Sequence, residues 1–319
     1  MNDLQLSGYD LIGDIHGHAD ALSKLLEGMG YQLRDGCYHH STRQVIFLGD
    51  FIDRGPQQVD VLKIVMPMVE HNAALAVMGN HEFNALAFHT PHPDLDDTWL
   101  RPHNDKNIKQ HQAFLTEFMD REEWPTLDDA LAFFESLPLW LDLDDLRVVH
   151  ACWDPRSIGK LRRLLKSGNK VTPELIVAAS TEKTTEFDAI ETLLKGVEYA
   201  LPGDHSFLDK DGTPRTDARI QWWKNGNRKL GEITLPVDLL EDEKNFHAYE
   251  HQVLETELLG YPLEDKPVFL GHFWMESHPA KLASNVACLD YSVAKGGKLV
   301  AYRWSGEQSI NDEHFYYQK

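Results

Sequence analysis

Residue types that bind metal ions follow apolar runs at five places in the sequence. Short apolar runs of this kind predict buried strands, and in open α/β sheets ligands bind at the loops that follow the carboxyl ends of the strands. Four of these loops begin with glycine, and together they predict a polynuclear metal site. The five segments are Gly13-Asp14-Ile15-His16-Gly17, Gly49-Asp50-Phe51-Ile52-Asp53-Arg54-Gly55, Gly79-Asn80-His81-Glu82, Val148-Val149-His150 and Gly271-His272.

The pooled ligand set mixes carboxylate, imidazole and amide groups and contains no cysteine. This mixture suits Mn, Fe, Zn or Ni better than Mg or Ca, which prefer shells made of oxygen alone. The set is too large for one ion that must keep an open position, and a carboxylate such as Asp50 can bridge two ions. We therefore predict Asp14, His16 and Asp50 as ligands of a first ion, and Asp50, Asn80, His150 and His272 as ligands of a second.

The composition limits the class of partner. The net charge of -20, from 31 basic and 51 acidic residues, opposes binding to nucleic acid polymers and to anionic membranes. Small phosphorylated substrates remain compatible, since divalent ions invert the local electrostatic field. Three cysteines give no disulfide framework, which favours reduced thiols in a cytoplasmic protein. We expect no signal peptide and no membrane-spanning segment.

The segments between the motifs predict the elements that hold them. Apolar residues recur at helical spacing from Leu22 to Met29 and again from Val59 to Val69. Strands that alternate with helices predict parallel strands with right-handed crossovers. The turn Lys295-Gly296-Gly297 predicts a hairpin, which we expect to add antiparallel strands to the second sheet of a β-sandwich core.

We expect one domain over residues 1–319 with two insertions. Residues 85–140 predict a helical excursion that begins with a loop rich in proline and histidine over the site. Residues 156–265 predict a cap over the metal ions, with a turn at Asp209-Lys210-Asp211-Gly212. The second insertion contains no motif that assigns a function.

Together the five segments resemble the calcineurin-like metallophosphoesterase superfamily. Residues 9–82 are similar almost throughout to its phosphoprotein-phosphatase branch, which the sequence Asp53-Arg54-Gly55-Pro56 marks. Bacterial relatives of that branch include symmetrical diadenosine-tetraphosphate hydrolases and the phosphatase domains of polynucleotide kinase-phosphatases. The resemblance implies a four-layer α/β-β/α core with two mixed sheets between helices. It also implies two divalent metal ions per chain, Mn²⁺ first and Fe, Zn or Ni as alternatives.

The resemblance implies a role for each motif residue. A hydroxide shared by the two ions would attack phosphorus in line, and Arg54 would help to stabilise charge on the non-bridging oxygens. His81 follows a ligand but is not itself one; it would protonate the leaving oxygen, with Asp53 orienting its ring. Glu82 is expected to support the site. The alternatives are a structural salt bridge for Arg54 and a structural hydrogen bond for His81.

Two departures from the family pattern bear on the substrate. Gly271-His272 is followed by Phe273 and Trp274, where the superfamily often has a second ligand histidine; the phosphoprotein-phosphatase branch also lacks it. The relatives usually carry two small or apolar residues shortly after the motif that ends in His150. Here Trp153 follows instead and would place a large ring beside the second ion.

Substrate contacts are predicted from residue type. Arg215 and Arg219, with Lys210, are candidates for binding a substrate phosphate, and a solvated hairpin is the alternative. Four tryptophans are candidates for stacking a nucleobase or another aromatic ring, with core packing as the alternative for each. These are Trp153, Trp222, Trp223 and Trp274.

We therefore expect a binuclear metal-dependent phosphoesterase that hydrolyses a phosphomonoester or phosphoanhydride of a small substrate, such as a nucleotide or a phosphopeptide. One alternative is a protein phosphatase that acts on phosphoserine, phosphothreonine or phosphotyrosine. Another is a non-catalytic binding protein with the same fold, which the presence of His81, Asp53 and Arg54 disfavours. Cys152 is a competing nucleophile, but its nearest histidine is already a predicted ligand. The sequence predicts nothing about oligomeric state.

Overall fold

The protein has a mixed α/β fold. A computed structural model describes residues 6–201, 206–208, 214–226, 229–235, 253 and 260–318. The helices are α1 (Ala19–Gly28), α2 (Gln58–Glu70), α3 (Asn80–His89), α4 (Asp105–Phe118), α5 (Leu127–Ser136), α6 (Pro155–Leu161), α7 (Pro173–Ala179), α8 (Thr185–Lys195) and α9 (Leu230–Ile233). The strands are β1 (Gly8–Ile12), β2 (Gln32–Arg34), β3 (Cys37–His39), β4 (Arg43–Phe47), β5 (Ala74–Ala76), β6 (Trp140–Asp142), β7 (Arg147–Val149), β8 (Glu198–Ala200), β9 (Phe207–Leu208), β10 (Pro214–Arg215), β11 (Asp217–Ile220), β12 (Thr234–Leu235), β13 (Val268–Leu270), β14 (Val286–Cys288), β15 (Asp290–Tyr291), β16 (Lys298–Trp304) and β17 (Phe315–Tyr317).

Contacts divide the chain into two compact units. The first consists of Met1–Leu194 and Lys266–Lys319, and the second of Lys195–Asp265. The second unit holds the antiparallel sheet β12-β11-β8 and the pair β10-β9. Its described core centres on Ile220 and Ile233. None of the helices in the described ranges has the length and apolar character needed to cross a membrane.

Two sheets form the core of the first unit, and the motif strands within each are parallel. One sheet has the order β15-β16-β1-β4-β5, with β17 added beside β16, and the other has the order β14-β13-β7-β6. Strands β1, β4 and β5 pair in parallel, as do β7, β13 and β14. The carboxyl ends of parallel neighbours meet at one edge of each sheet.

Apolar side chains join the two sheets. Leu11 and Ile46 of the first sheet share a buried cluster with Val148 and Phe269 of the second. Ile12 follows Leu11 in β1 and therefore points to the opposite face of the sheet. It is also fully buried, so the first sheet is covered on both faces at β1. Helix α1 contacts β16 and α2 contacts β5. This arrangement confirms the predicted core of two sheets with helices packed outside.

The predicted hairpin exists, but its assignment to the second sheet was wrong. Strand β16 pairs antiparallel with β1 in the first sheet, where Tyr302 lies opposite Leu11. Strand β15 pairs with β16, whereas β14, just before it, pairs with β13 of the other sheet. The chain therefore crosses between sheets at Leu289, which is buried in the cluster that joins them.

Most helices between the motif strands lie in the first unit. Residues 85–140 contain the end of α3 and the helices α4 and α5, joined by non-helical stretches. Helices α6 to α8, assigned to the cap from residue 156, fall in the first unit except for their last residue, Lys195. A physical reason is that the Leu193 carbonyl accepts hydrogen bonds from Ala151 and Cys152, at 3.0 and 3.3 Å. The turn at residues 209–212 lies outside the described residues.

Candidate metal centre

The predicted ligands lie at the carboxyl ends of parallel strands in both sheets of the first unit. Each strand ends one to four residues before a ligand, so strand pairing fixes where the loops emerge. The ligands are Asp14 and His16 after β1, Asp50 after β4, Asn80 after β5, His150 after β7 and His272 after β13.

Backbone hydrogen bonds fasten these loops to one another. The N–H groups of Ile15 and His16 both donate to the carbonyl oxygen of Asp50, at 3.0 and 2.9 Å. In the second sheet, the Gly271 N–H donates to the His150 carbonyl at 2.8 Å. The backbone therefore sets the positions of the ligand residues within each sheet.

Asp50 lies at the centre of the site, facing three imidazoles. Its Oδ2 is 3.6 Å from Nε2 of His16, 3.4 Å from Nε2 of His150 and 4.0 Å from Nε2 of His81. Its Oδ1 accepts a hydrogen bond from the backbone N–H of His81 at 3.0 Å. One buried carboxylate thus faces histidines from both sheets, which is the placement that a bridging ligand needs.

Two overlapping groups of side chains have the spacing of metal ligands. In each group the candidate ligand atoms all lie within 4.8 Å of one another. The groups share Asp50. They are His16, Asp50 and His81, and Asp50, His150 and His272.

The remaining predicted ligands, Asn80 and Asp14, lie beside the second group. Asn80 Oδ1 is 3.1 Å from His150 Nε2 and 2.8 Å from His272 Nδ1. The Asp14 carboxylate accepts from the backbone N–H of His272, at 3.1 and 3.3 Å. Among the described residues, His81 rather than Asp14 completes the first group, so the ligand assignments stay predictions.

Hydrogen bonds to backbone carbonyls orient two of the histidines. His16 Nδ1 donates to the Ile52 carbonyl at 2.9 Å, and His150 Nδ1 donates to the Leu48 carbonyl at 2.7 Å. Both bonds turn Nε2 toward Asp50, as in proteins where a metal-binding imidazole is held by its other nitrogen. The buried His16 Nε2 has no hydrogen-bond partner among the described residues. A metal ion would fit this donor set and satisfy that atom.

Burial and neighbouring charges shift the pKa values in opposite directions. Burial, aided by His81, lowers the pKa of His16 to about 3, which leaves a lone pair free for a metal. Burial also opposes the ionised form of Asp50, but the charges of His150 and His81 outweigh it and hold the Asp50 pKa well below its usual range. Burial and the charge of Asp290 raise the pKa of Asp14. A divalent cation would offset the burial of both carboxylates.

Two motif glycines are required by close approach rather than by a special backbone angle. A Cβ atom at Gly79 would overlap Oδ1 of Asp50, and one at Gly271 would overlap Oδ1 of Asp14. Neither glycine has a positive φ. Each therefore leaves room for a predicted ligand carboxylate from another strand.

His81 and Arg54 have the partners expected of a proton donor and a phosphate-binding group. His81 Nδ1 donates to Asp53 Oδ2 at 2.5 Å, so that its Nε2 faces Asp50. The guanidinium of Arg54 is exposed and lies 4.4 Å from the centre of the Trp274 ring. This cation–π contact holds the guanidinium at the site, and Trp274 itself is anchored by its backbone N–H to Asp290 at 2.8 Å.

Glu82 supports the site by joining two loops. Its fully buried carboxylate accepts from the backbone N–H groups of Asp50 and Phe51, both at 2.8 Å, and from that of Gly79 at 2.9 Å. Burial, with the nearby Asp50 charge, raises the pKa of Glu82 to about 7. Hydrogen bonds from the three backbone N–H groups compensate the loss of hydration of the buried carboxylate. They also fix the Asp50 loop against the start of α3.

Sequence reasoning missed two residues that hold Asp53. Gln58 Oε1 accepts from the Asp53 backbone N–H at 2.7 Å. His111 Nδ1, from α4, donates to Asp53 Oδ1 at 2.8 Å. Burial opposes ionisation of Asp53, but the hydrogen bonds from His111 and His81 hold its pKa below the usual range. No motif marks His111, which lies 58 residues from its partner.

Two further residues singled out in the sequence, Trp153 and Cys152, are buried in the first unit. The Trp153 ring is buried and packs against the Arg147 guanidinium at 4.9 Å, so the structure gives it a packing partner. Burial, with Asp154, raises the pKa of Cys152 well above its usual range, which opposes a thiolate.

The predicted cap residues belong to the second unit, and their roles in substrate binding stay predictions. Arg215 is exposed, Arg219 is half-buried, Trp222 and Trp223 are buried, and Lys210 lies outside the described residues.

Comparison with known proteins gives a family match over four of the five motif segments. The calcineurin-like phosphoesterase family matches residues 9–177. The chain is 30% identical over 161 residues to the asymmetrical bis(5'-nucleosyl)-tetraphosphatase PrpE of Oceanobacillus iheyensis. This alignment covers 50% of this chain and 61% of that protein. The chain is 32% identical, with the same coverages, to the PrpE of Bacillus velezensis. The match thus spans less than two thirds of each relative.

Solved structures share the fold. A cold-active protein tyrosine phosphatase aligns over 99% of this chain and 80% of its own, with a TM-score of 0.51 and 16% identity. At that identity the likeness supports the fold alone.

Proposed function

We propose that this chain, which belongs to the calcineurin-like phosphoesterase family, uses two divalent metal ions to hydrolyse phosphoanhydride bonds of dinucleoside polyphosphates. The observation that carries the proposal is the buried Asp50 carboxylate, which faces histidines from both sheets at 3.4 and 3.6 Å. The His81–Asp53 pair lies beside it. Oxygen and nitrogen donors without cysteine favour Mn²⁺, with Fe, Zn or Ni as alternatives.

The protein's own residues would divide the work. Bound ions would activate water for in-line attack and neutralise the phosphoryl oxygens. Arg54, held over Trp274, would bind a non-bridging oxygen through its planar fork. His81 would release the proton on Nε2 to the leaving oxygen, while Asp53 keeps Nδ1 protonated and the ring in place.

The substrate class comes from the names of the relatives. Two PrpE proteins at 30% and 32% identity each match over half of the chain. Their names specify a bis(5'-nucleosyl)-tetraphosphate, and we extend that class to this chain. The three cysteines, all buried and unpaired, suit a reducing compartment, and on that ground we place the protein in the cytoplasm.

Metal reconstitution followed by a substrate panel tests the proposal. The Mn²⁺ form would be assayed on diadenosine tetraphosphate, p-nitrophenyl phosphate and a phosphotyrosine peptide, with metal content measured on the same sample. We expect two ions per chain, turnover of the dinucleotide and complete loss with chelator. The products distinguish symmetrical cleavage into two ADP from asymmetrical cleavage into AMP and ATP.

Each contrary result selects another function. Turnover of the phosphopeptide but not of the dinucleotide would identify a protein phosphatase. Metal binding without turnover of any substrate would favour the non-catalytic alternative. Activity that survives exhaustive chelation would remove the metal ions from the mechanism.

A further inference from the structure

The carboxylate of Asp53 is held by two histidines, one on each oxygen. Oδ2 accepts from His81 Nδ1 at 2.5 Å, and Oδ1 accepts from His111 Nδ1 at 2.8 Å. Asp53 is 3% exposed, so neither bond competes with bulk water. The plane of this carboxylate therefore depends on both rings.

His111 reaches Asp53 from a separate part of the chain. It lies on α4, within the predicted helical insertion, and is 4% exposed. Its ring stacks on Phe114, with centroids 4.7 Å apart and planes 20° apart, and lies 5.1 Å from the Phe88 ring. This aromatic packing fixes the direction in which Nδ1 points.

The remaining contacts of His111 give it no other polar role. Its buried Nε2 has no hydrogen-bond partner in the described part of the chain, so Asp53 is the one polar group that its ring bonds there. A histidine needed only for packing would be replaceable by an apolar ring of similar shape. The polar atom of His111 instead meets the carboxylate that orients the predicted proton donor.

Asp53 needs such support because its backbone is in an uncommon conformation. Its φ is 67° and that of the next residue, Arg54, is 71°. Gln58 fixes the backbone N–H of Asp53, and His111 fixes the side chain. Strained residues of this kind persist where their surroundings hold them in place.

We propose that His111 is a positioning residue for phosphoester hydrolysis: it holds Asp53 in the orientation that aims His81 at the leaving oxygen. The proposal rests on the proposed function, because it assigns His81 as the proton donor. It predicts that His111 matters in proportion to how much protonation the leaving group needs. A role in folding alone would affect every substrate equally.

The test compares three substitutions on two substrates. His111→Phe keeps the ring and removes the donor, His111→Asn places an amide donor near the position of Nδ1, and His111→Gln places it near Nε2. His89→Phe is the matched control, because its ring lies in the same cluster, 5.6 Å from that of His111, and makes no hydrogen bond to Asp53 among the described residues. The substrates are glycerol 2-phosphate and p-nitrophenyl phosphate.

We expect His111→Phe to lower kcat on glycerol 2-phosphate by about 10- to 100-fold, as for other groups that orient a functional histidine, and kcat on p-nitrophenyl phosphate by less than about threefold. Metal content should stay at the wild-type value. His111→Asn should recover most of the loss, His111→Gln should not, and His89→Phe should behave as wild type.

Several outcomes would overturn the inference. Equal losses on both substrates, or equal behaviour of the Asn and Gln variants, would leave His111 a packing residue. If the Phe variant does not fold, the comparison of the Asn and Gln variants still distinguishes a positioning role of His111 from a packing role. An active wild type with an unchanged His111→Phe variant overturns this inference alone, and so does a wild type that hydrolyses diadenosine tetraphosphate but neither phosphomonoester. A wild type that hydrolyses none of the three substrates overturns the proposed function and the role of His111 with it.

Discussion

The two compact units differ in where their backbone leaves ordinary conformations. In the first unit, six motif-loop residues other than glycine have φ between 45° and 71°. In the described part of the second unit, positive φ occurs at glycines, namely Gly196, Gly226 and Gly260. The six residues in the first unit are His16, Asp50, Asp53, Arg54, His272 and Trp274.

The difference shows where the chain has accepted strain. A left-handed conformation costs a non-glycine residue about 1–2 kcal/mol, and such residues cluster at functional sites. Of the thirteen such residues in the described part of the first unit, six are predicted ligands, the proton donor's partner and the phosphate-binding pair. We therefore expect substitutions in the motif loops to have large effects on activity, and substitutions in the second unit to have small ones.

The largest effect should follow from Asp50→Asn. Asp50 is the residue shared by both metal groups, so an amide in its place should weaken both ion sites together. We expect activity to fall by more than about 10⁴-fold, the upper range for one general acid, and elemental analysis to show fewer than two ions per chain. The control is Asp154→Asn, because this buried aspartate caps α6 and belongs to neither group. Two retained ions with wild-type turnover would contradict the bridge.

His81→Ala should come next and should depend on the leaving group. We expect losses of about 10²- to 10⁴-fold on alkyl phosphates and much smaller losses on p-nitrophenyl phosphate, whose leaving group needs little protonation. Because His81 Nε2 also lies in the first metal group, metal content must be measured in the same sample. Loss of one ion with equal losses on both substrates would make His81 a ligand instead.

Arginines of the two units provide a direct comparison. Arg54→Ala should lower kcat/KM by about 10- to 100-fold, since a hydrogen bond to a charged group contributes about 1.5–3 kcal/mol. Arg54→Lys should retain only part of the wild-type kcat/KM, because lysine lacks the planar guanidinium that binds two oxygens at once. Arg215→Ala and Arg219→Ala should each cost less than about threefold. A larger loss in Arg219→Ala than in Arg54→Ala would move substrate recognition to the second unit.

Local patterns predicted the strands and loops but not their long-range partners. The apolar runs before Asp14 and Asp50 match β1 and β4 within a residue or two, because burial on both faces leaves a local signature. The placement of β16 beside β1 could not be predicted in this way, because strand pairing is a contact between distant segments. Local patterns also could not indicate the role of His111, because its hydrogen-bond partner Asp53 lies 58 residues away.

The smallest effect should come from Cys152→Ser, which separates the metal route from a cysteine nucleophile. The thiol is 1% exposed, and burial with Asp154 raises its pKa well above the usual range, so a thiolate is strongly disfavoured. A serine hydroxyl in the same place should cost about 1–3 kcal/mol of stability if it finds no partner, seen as a lower Tm. We expect more than about half of the wild-type kcat, because general-acid and metal chemistry do not involve this atom. Activity lost in Cys152→Ser but retained after exhaustive chelation would replace the metal centre with a covalent mechanism.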